Sequence, residues 1–168
     1  MNRQELDGEL GQPAARELLV SAQLVRLAYN GLDGLPRVIP IGFHWNDEHI
    51  VICTATTAPK VRALSSRPEV AVTIDVGSTP SEAKSLLVRG VATVEIVDGI
   101  PDEGLAGSRK VLDAEQVETF ERQVRSMYEQ MARISIEPQW ARFYDFGAGR
   151  IPSFLSKLAS EADARAQG

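Results

Sequence analysis

Apolar side chains recur at every second position over much of the chain, the period of a strand with one buried face. Val25, Leu27 and Tyr29 alternate along "QLVRLAY", and the turn-forming "NGLDGLP" follows, so the segment predicts the first arm of a hairpin. The return arm, "RVIPIGFHW", sorts its side chains onto two unlike faces. Ile39, Ile41, Phe43 and Trp45, behind Arg37, are bulky enough to build a core, whereas Val38, Pro40, Gly42 and His44 offer little beyond backbone. The barer face reads equally as an edge strand with a bulge or as a platform for a flat ligand. "IVICTA" and "EVAVTIDV" predict two more strands, and "GSTPSEAK" an exposed loop. "SLLVRGVATVEIV" is long for one strand, and Gly90 predicts a bend or bulge within it.

Near Asp113 the period changes to that of a helix. Val117, Phe120, Val124, Met127 and Met131 fall three and four apart on one stripe, with the two methionines expected as core filler. "RISIEP" and "WARFYDFG" resume strand patterning, with Pro138 expected to break them apart. A shorter helix enters at Pro13 and carries Leu18, Leu19 and Ala22, and the tail from Ser153 reads as a helix fraying into disorder. Six or seven strands joined by short turns predict a mainly β, α+β fold: an antiparallel barrel, closed or nearly so, decorated by helices. The expected organisation is a helical extension over residues 1–22, one barrel domain over 23–154 and a tail over 155–168.

Composition narrows the function classes. A chain of 168 residues is about one domain long, and its net charge of −5 gives no basic surplus for a nucleic-acid backbone. The acids and glycine of "MNRQELDGELGQPAARELL" do not make a signal peptide, and no run approaches a membrane span, so the expected compartment is the cytoplasm, with no nucleic-acid or membrane partner. Cys53 has no second cysteine to pair with and too few histidines around it for a metal cage, so no metal is expected and the thiol reads as buried and inert.

The stretch that carries candidate chemistry is "ICTATTAPKVRAL". A strand ends in threonines and a helix enters at Pro59, placing Lys60 in a first turn that already bears partial positive charge. A bound anion explains such a lysine, because helix amino ends attract phosphate and Thr54, Thr56 and Thr57 add hydroxyls. A snorkelling surface lysine explains it as well. Arg62 is about 200° around the helix from Lys60, so the two do not share a face, and Arg62 reads as a solvated charge.

In order, "DGLPRVIPIGFHW", "IVICTATTAPKVRALSSRPEVAVTI", "LVRGVATVEI" and "WARFYDFG" resemble the pyridoxamine 5′-phosphate oxidase-like, flavin-binding split β-barrel superfamily. The resemblance covers Leu24 to about Phe154. It implies a six-stranded antiparallel split barrel that forms a homodimer, with FMN or coenzyme F420 at the subunit interface. It places Arg37, Val38, Ile39, Pro40, Ile41 and Gly42 along the cofactor, with Cys53 and Thr54 at the end of the neighbouring strand. It makes Lys60 the phosphate-binding lysine and Arg37 a second cationic contact. Many members carry Ser-Arg before that lysine where this chain has Ala58 and Pro59, leaving Thr56, Thr57 or Arg62 to compensate. Ser85 stands near a position where the vitamin-synthesising oxidases place a glutamine, and their carboxy-terminal tryptophan, arginine and histidine pattern is absent.

The resemblance therefore implies an FMN- or F420-dependent oxidoreductase acting on a small organic molecule, and not a true pyridoxamine phosphate oxidase. Trp140 would face the ring or the substrate, and His44 is the candidate proton donor. The chief alternative is a non-catalytic flavin, F420 or haem carrier on the same fold.

Overall fold

A computed structural model describes residues 1–110 and 112–166. The elements in chain order are α1 (Arg3–Leu10), α2 (Pro13–Ser21), β1 (Leu24–Asn30), β2 (Pro36–Gly42), β3 (His44–Trp45), β4 (Ile50–Ala55) and α3 (Pro59–Ser66). They continue through β5 (Glu69–Val76), β6 (Lys84–Asp98), α4 (Asp102–Ala106), a 3₁₀ turn (Ser108–Lys110), α5 (Ala114–Met127), β7 (Gln130–Asp145) and α6 (Ser153–Ala166). The seven strands make one antiparallel sheet in the order β2-β1-β5-β6-β7-β4-β3.

The edge strands of this sheet, β2 and β3, are consecutive in the chain and joined through Phe43 alone. The sheet thus curls until its edges share one residue without closing into a continuous hydrogen-bonded cylinder, which is the split barrel expected. The seventh strand is the two-residue β3. Phe43 is 2% exposed at this seam, and Lys110 lies over its ring at 4.1 Å while donating to the Ala22 carbonyl at 2.9 Å.

Inside, alternate residues of the strands meet apolar residues of the helices. Val25, Leu27, Ile52, Ile74, Leu86, Ile134 and Ile136 pack in one core with Leu6 of α1 and with Leu18 and Leu19 of α2. The first 22 residues therefore supply part of the barrel's own core, and α1 is an element that the sequence pattern did not reveal.

Three expectations are corrected. Pro138 does not separate two strands: β7 runs through it, and the register slips between Arg89 and Gly90 so that Gln139 is the unpaired residue of a bulge. Gly90 permits this because a Cβ there would meet the Glu137 carbonyl oxygen at 2.3 Å. Met131 is not on the helical stripe, since α5 ends at Met127 and Met131 is buried in β7 between Ala55 and Val97. Met127 is not core filler, being 69% exposed. The α5 start is as expected, with Asp113 and Gln116 forming a reciprocal capping box. The tail forms α6 and stays helical through Ala166, the last of the described residues, instead of fraying within them.

Candidate functional site

The β1–β2 hairpin and the amino end of α3 enclose a cavity of about 380 Å³, lined by Tyr29, Asp33, Arg37, Thr57 and Arg62 among others. Two glycines shape the hairpin in different ways. Gly34 has φ +80°, a conformation that costs other residues strain, and Gly31 makes room, because a Cβ on it would stand 1.6 Å from Arg37 Nη1.

Across that space Arg37 donates from Nη1 and Nη2 to the two oxygens of Asp33 at 2.8 and 2.9 Å, and from Nη1 to the Leu35 carbonyl at 3.1 Å. The Leu35 N–H donates to Asp33 Oδ1 at 3.1 Å. Hydrogen bonding from Arg37, then from the Leu35 N–H, holds the Asp33 carboxyl well below the usual carboxylate range.

The helix contributes an uncapped end. Its N-cap is Ala58, which has no side-chain acceptor, and Pro59 has no N–H. The Val61 N–H bonds the Ala58 carbonyl at 2.9 Å, whereas the Lys60 N–H has no partner among the described residues. The Lys60 side chain is half-buried, makes no ion pair with any described residue, and has its pKa lowered by desolvation. Lys60 and Arg62 diverge around the helix as their spacing requires, and it is Arg62 that lines the cavity.

Tyr29 also lines a second, shallower cleft of about 570 Å³. Pro36, Ala71, Arg89 and Trp140 form part of its wall. The strand register sets Val38, Ala28, Ala71, Arg89 and Trp140 in one row across five strands. Val38 is 64% exposed in that row, and the Arg89 guanidinium lies 4.2 Å from the centre of the Trp140 ring.

The structure thus gathers some candidates and separates others. Arg37 and Thr57 share the cavity, Trp140 stands in the second cleft, and Val38, Pro40 and Gly42 are exposed on β2. Ile39 and Ile41 turn their side chains to the core, leaving only their backbone for a ligand. Lys60 and the half-buried Thr56 flank the start of α3. Cys53, Thr54, His44 and Ser85 line neither cavity.

Ser85 sits opposite Asp75, about 17 Å along β5 from the Val70 that pairs with Tyr29. Thr54 is opposite Ala132 in β4. Cys53 faces Arg133 across the ladder and is covered by α4, whose Gly104 would place a Cβ 3.0 Å from the Cys53 Cβ. Burial, then the Glu103 carboxylate, pushes its thiol up to about 11, although Cys53 is half-buried and not buried as expected. His44, opposite Val51, shares that face of the sheet with Cys53.

Tyr29, Gly31 and Asp33 belong to the site without having been singled out from the sequence. Their signal lay in "YNGLDGLPR", where a carboxylate four residues before an arginine can close a turn around it. Two guanidinium groups, a hydroxyl and an uncapped helix end suit a phosphate-like anion. Among the described residues no cluster of three or more histidine, cysteine or acidic groups could hold a metal ion, and no helix is long and apolar enough to cross a membrane.

The comparisons agree with this architecture. A conserved hypothetical protein of Mycobacterium tuberculosis is 18% identical with a TM-score of 0.63, the match covering 90% of this chain and 89% of that one. The haem storage protein HutZ of Vibrio cholerae is 18% identical with a TM-score of 0.56, covering 77% and 92%. An F420 reductase is 21% identical with a TM-score of 0.51, covering 75% and 94%. At such identities these likenesses concern the fold, and no curated protein sequence matches the chain. The family model described as pyridoxamine 5′-phosphate oxidase matches residues 12–148, and the chain belongs to that family.

Proposed function

We propose that this chain is an FMN- or F420-dependent oxidoreductase that moves a hydride to or from a small organic molecule, working as a homodimer. The observation that carries the reading is the pair of hollows that share Tyr29 in their linings, one suited to an anion and the other a shallow cleft bearing Trp140. A phosphate-bearing planar cofactor has these same two parts. Arg37, Arg62 and Thr57 would hold the phosphate, beside the unpartnered Lys60 N–H at the uncapped start of α3. The backbone of β2 near Pro40 and Ile41, an edge strand with unpaired groups, would meet the ring. When bound, the cofactor supplies the hydride chemistry, and the protein orients it and excludes water.

A second copy is supported by apolar surface that this chain leaves uncovered. α5 buries none of its residues fully and exposes Phe120 and Met127, while Val38 stands out from the sheet. A partner over the sheet would turn the open cleft into an enclosed one.

The second reading, a non-catalytic carrier of flavin, F420 or haem, is favoured by one observation: no histidine or cysteine lines either cavity to serve as a near-neutral proton donor. Calorimetric titration of the purified protein with FMN and with F420 tests cofactor binding, and absence of heat with both would remove the proposal. Reoxidation of the reduced complex by candidate small electrophiles separates the readings, since a carrier returns its electrons no faster than free cofactor does.

A further inference from the structure

We infer that Asp33 makes this cavity selective for a phosphodiester over a phosphate monoester. The inference rests on the cofactor reading above and adds which phosphate chemistry the site accepts. The charged residues lining the cavity are Arg37, Arg62 and Asp33. Asp33 already occupies both Nη atoms of Arg37 in a bidentate pair, and Nη1 is further tied to the Leu35 carbonyl. Among the groups that line the cavity, two guanidinium charges less one carboxylate leave a single net positive charge, centred on Arg62, with the Lys60 side chain outside the lining.

A phosphodiester carries one negative charge and matches that balance. A monoester carries between one and two near neutral pH, because its second proton leaves near pH ~6. Its extra charge must either repel Asp33 or expel it from Arg37. Protonation of Asp33 cannot relieve the conflict in the neutral range, since Arg37 holds the carboxyl ionised to well below its usual pH. Expulsion would also open the turn, in which Asp33 Oδ1 accepts the Leu35 N–H. FMN is a monoester and F420 a diester, so the wild-type cavity favours the anchor of the latter.

The test uses FMN and riboflavin 5′-(methyl phosphate), which share one ring and differ in phosphate charge. The wild-type protein should bind the methyl ester at least as tightly as FMN. Asp33→Asn keeps the Oδ1 acceptor, and in it FMN should gain about tenfold in affinity relative to the methyl ester. Asp47→Asn removes a carboxylate paired with Arg16 at 3.0 Å elsewhere on the surface, and should leave the ratio of the two affinities unchanged. A ratio that Asp33→Asn does not move, or that Asp47→Asn moves equally, would overturn the inference while leaving cofactor binding intact. Failure of FMN, its methyl ester and F420 to bind either wild type or Asp33→Asn would overturn the cofactor reading, and this inference with it.

Discussion

Glu9 and Asp33 both accept hydrogen bonds from arginine, in opposite surroundings. The Glu9 side chain is 10% exposed and takes Arg142 Nη1 at 3.0 Å, Arg150 Nη2 at 2.6 Å and the Phe143 N–H at 2.8 Å, which fastens α1 to β7. The Asp33 side chain is 48% exposed and holds Arg37 within one turn, beside an open cavity. Glu9 meets three donors from outside its own helix, two of them charged, so its carboxylate ties together segments distant in the chain. Asp33 competes with whatever anion enters. The same pair of chemical groups is therefore a fixed joint in one region and a selective filter in the other.

The largest test of that contrast is Glu9→Gln. Breaking a buried ion pair costs about 3–5 kcal/mol, but both arginines here retain access to water, so the expected loss is about 2 kcal/mol in urea unfolding. Asp33→Asn should leave the unfolding midpoint in place. Equal losses from the two substitutions would erase the distinction between joint and filter.

Next in size is Arg62→Ala, the one change that removes cavity charge without disturbing the Asp33–Arg37 pair. Affinity for F420 should fall about tenfold at low salt, with a smaller loss at high salt as screening shortens the reach of the guanidinium. An unchanged affinity in calorimetry would take Arg62 out of the anion site.

How far the sequence could be read follows from the same contrast between local and distant causes. Strand alternation exposed the barrel, since one buried face leaves a period of two in Val25, Leu27 and Tyr29 and a proline-and-glycine face in Pro40 and Gly42. Spacing around α3 separated Lys60 from Arg62 correctly, but which of them faced a cavity depended on the hairpin packed opposite, whose contacts are distant in sequence. α1 went unseen because it buries little more than Leu6 and Glu9, and a buried glutamate is the reverse of an amphipathic signal. Pro138 suggested a break because proline cannot donate to a ladder, and Gly90 across the sheet absorbs that defect as a bulge. Met131 continued a helical period by coincidence, two residues inside the next strand.

Between joint and filter lies a third pair. Arg133 donates to Glu103 Oε1 from Nε at 3.1 Å and from Nη2 at 2.7 Å, with the two side chains 23% and 24% exposed. The Arg133 hydrogen bond, more than any other influence, lowers the Glu103 pKa. A carboxyl whose pKa is depressed by folding adds stability above its unfolded value, and that stability is lost as pH falls through the folded one. Glu103→Gln should therefore cost about 1 kcal/mol at neutral pH and progressively less as acid protonates the wild-type carboxyl. A cost that stays constant down to pH ~3 would mean packing of α4 over Cys53, not charge, accounts for the effect.

Gly31→Ala should have the smallest effect on folding and the most informative one on the cavity. The new Cβ would be 1.6 Å from Arg37 Nη1 and 2.8 Å from Asp33 Oδ1, both at the far ends of side chains that can swing aside. Gly31 does not have the positive φ that distinguishes Gly34, so the backbone itself tolerates alanine. The unfolding midpoint should stay near that of the wild type, while the Asp33–Arg37 pair is pushed apart and both groups move into the cavity. With the pair broken, an incoming anion meets a free Arg37 and an unpaired Asp33 together, so the preference for diester over monoester should narrow severalfold without reversing. A preference as sharp as in the wild type would show that the charge balance, and not the paired geometry, is what the filter reads.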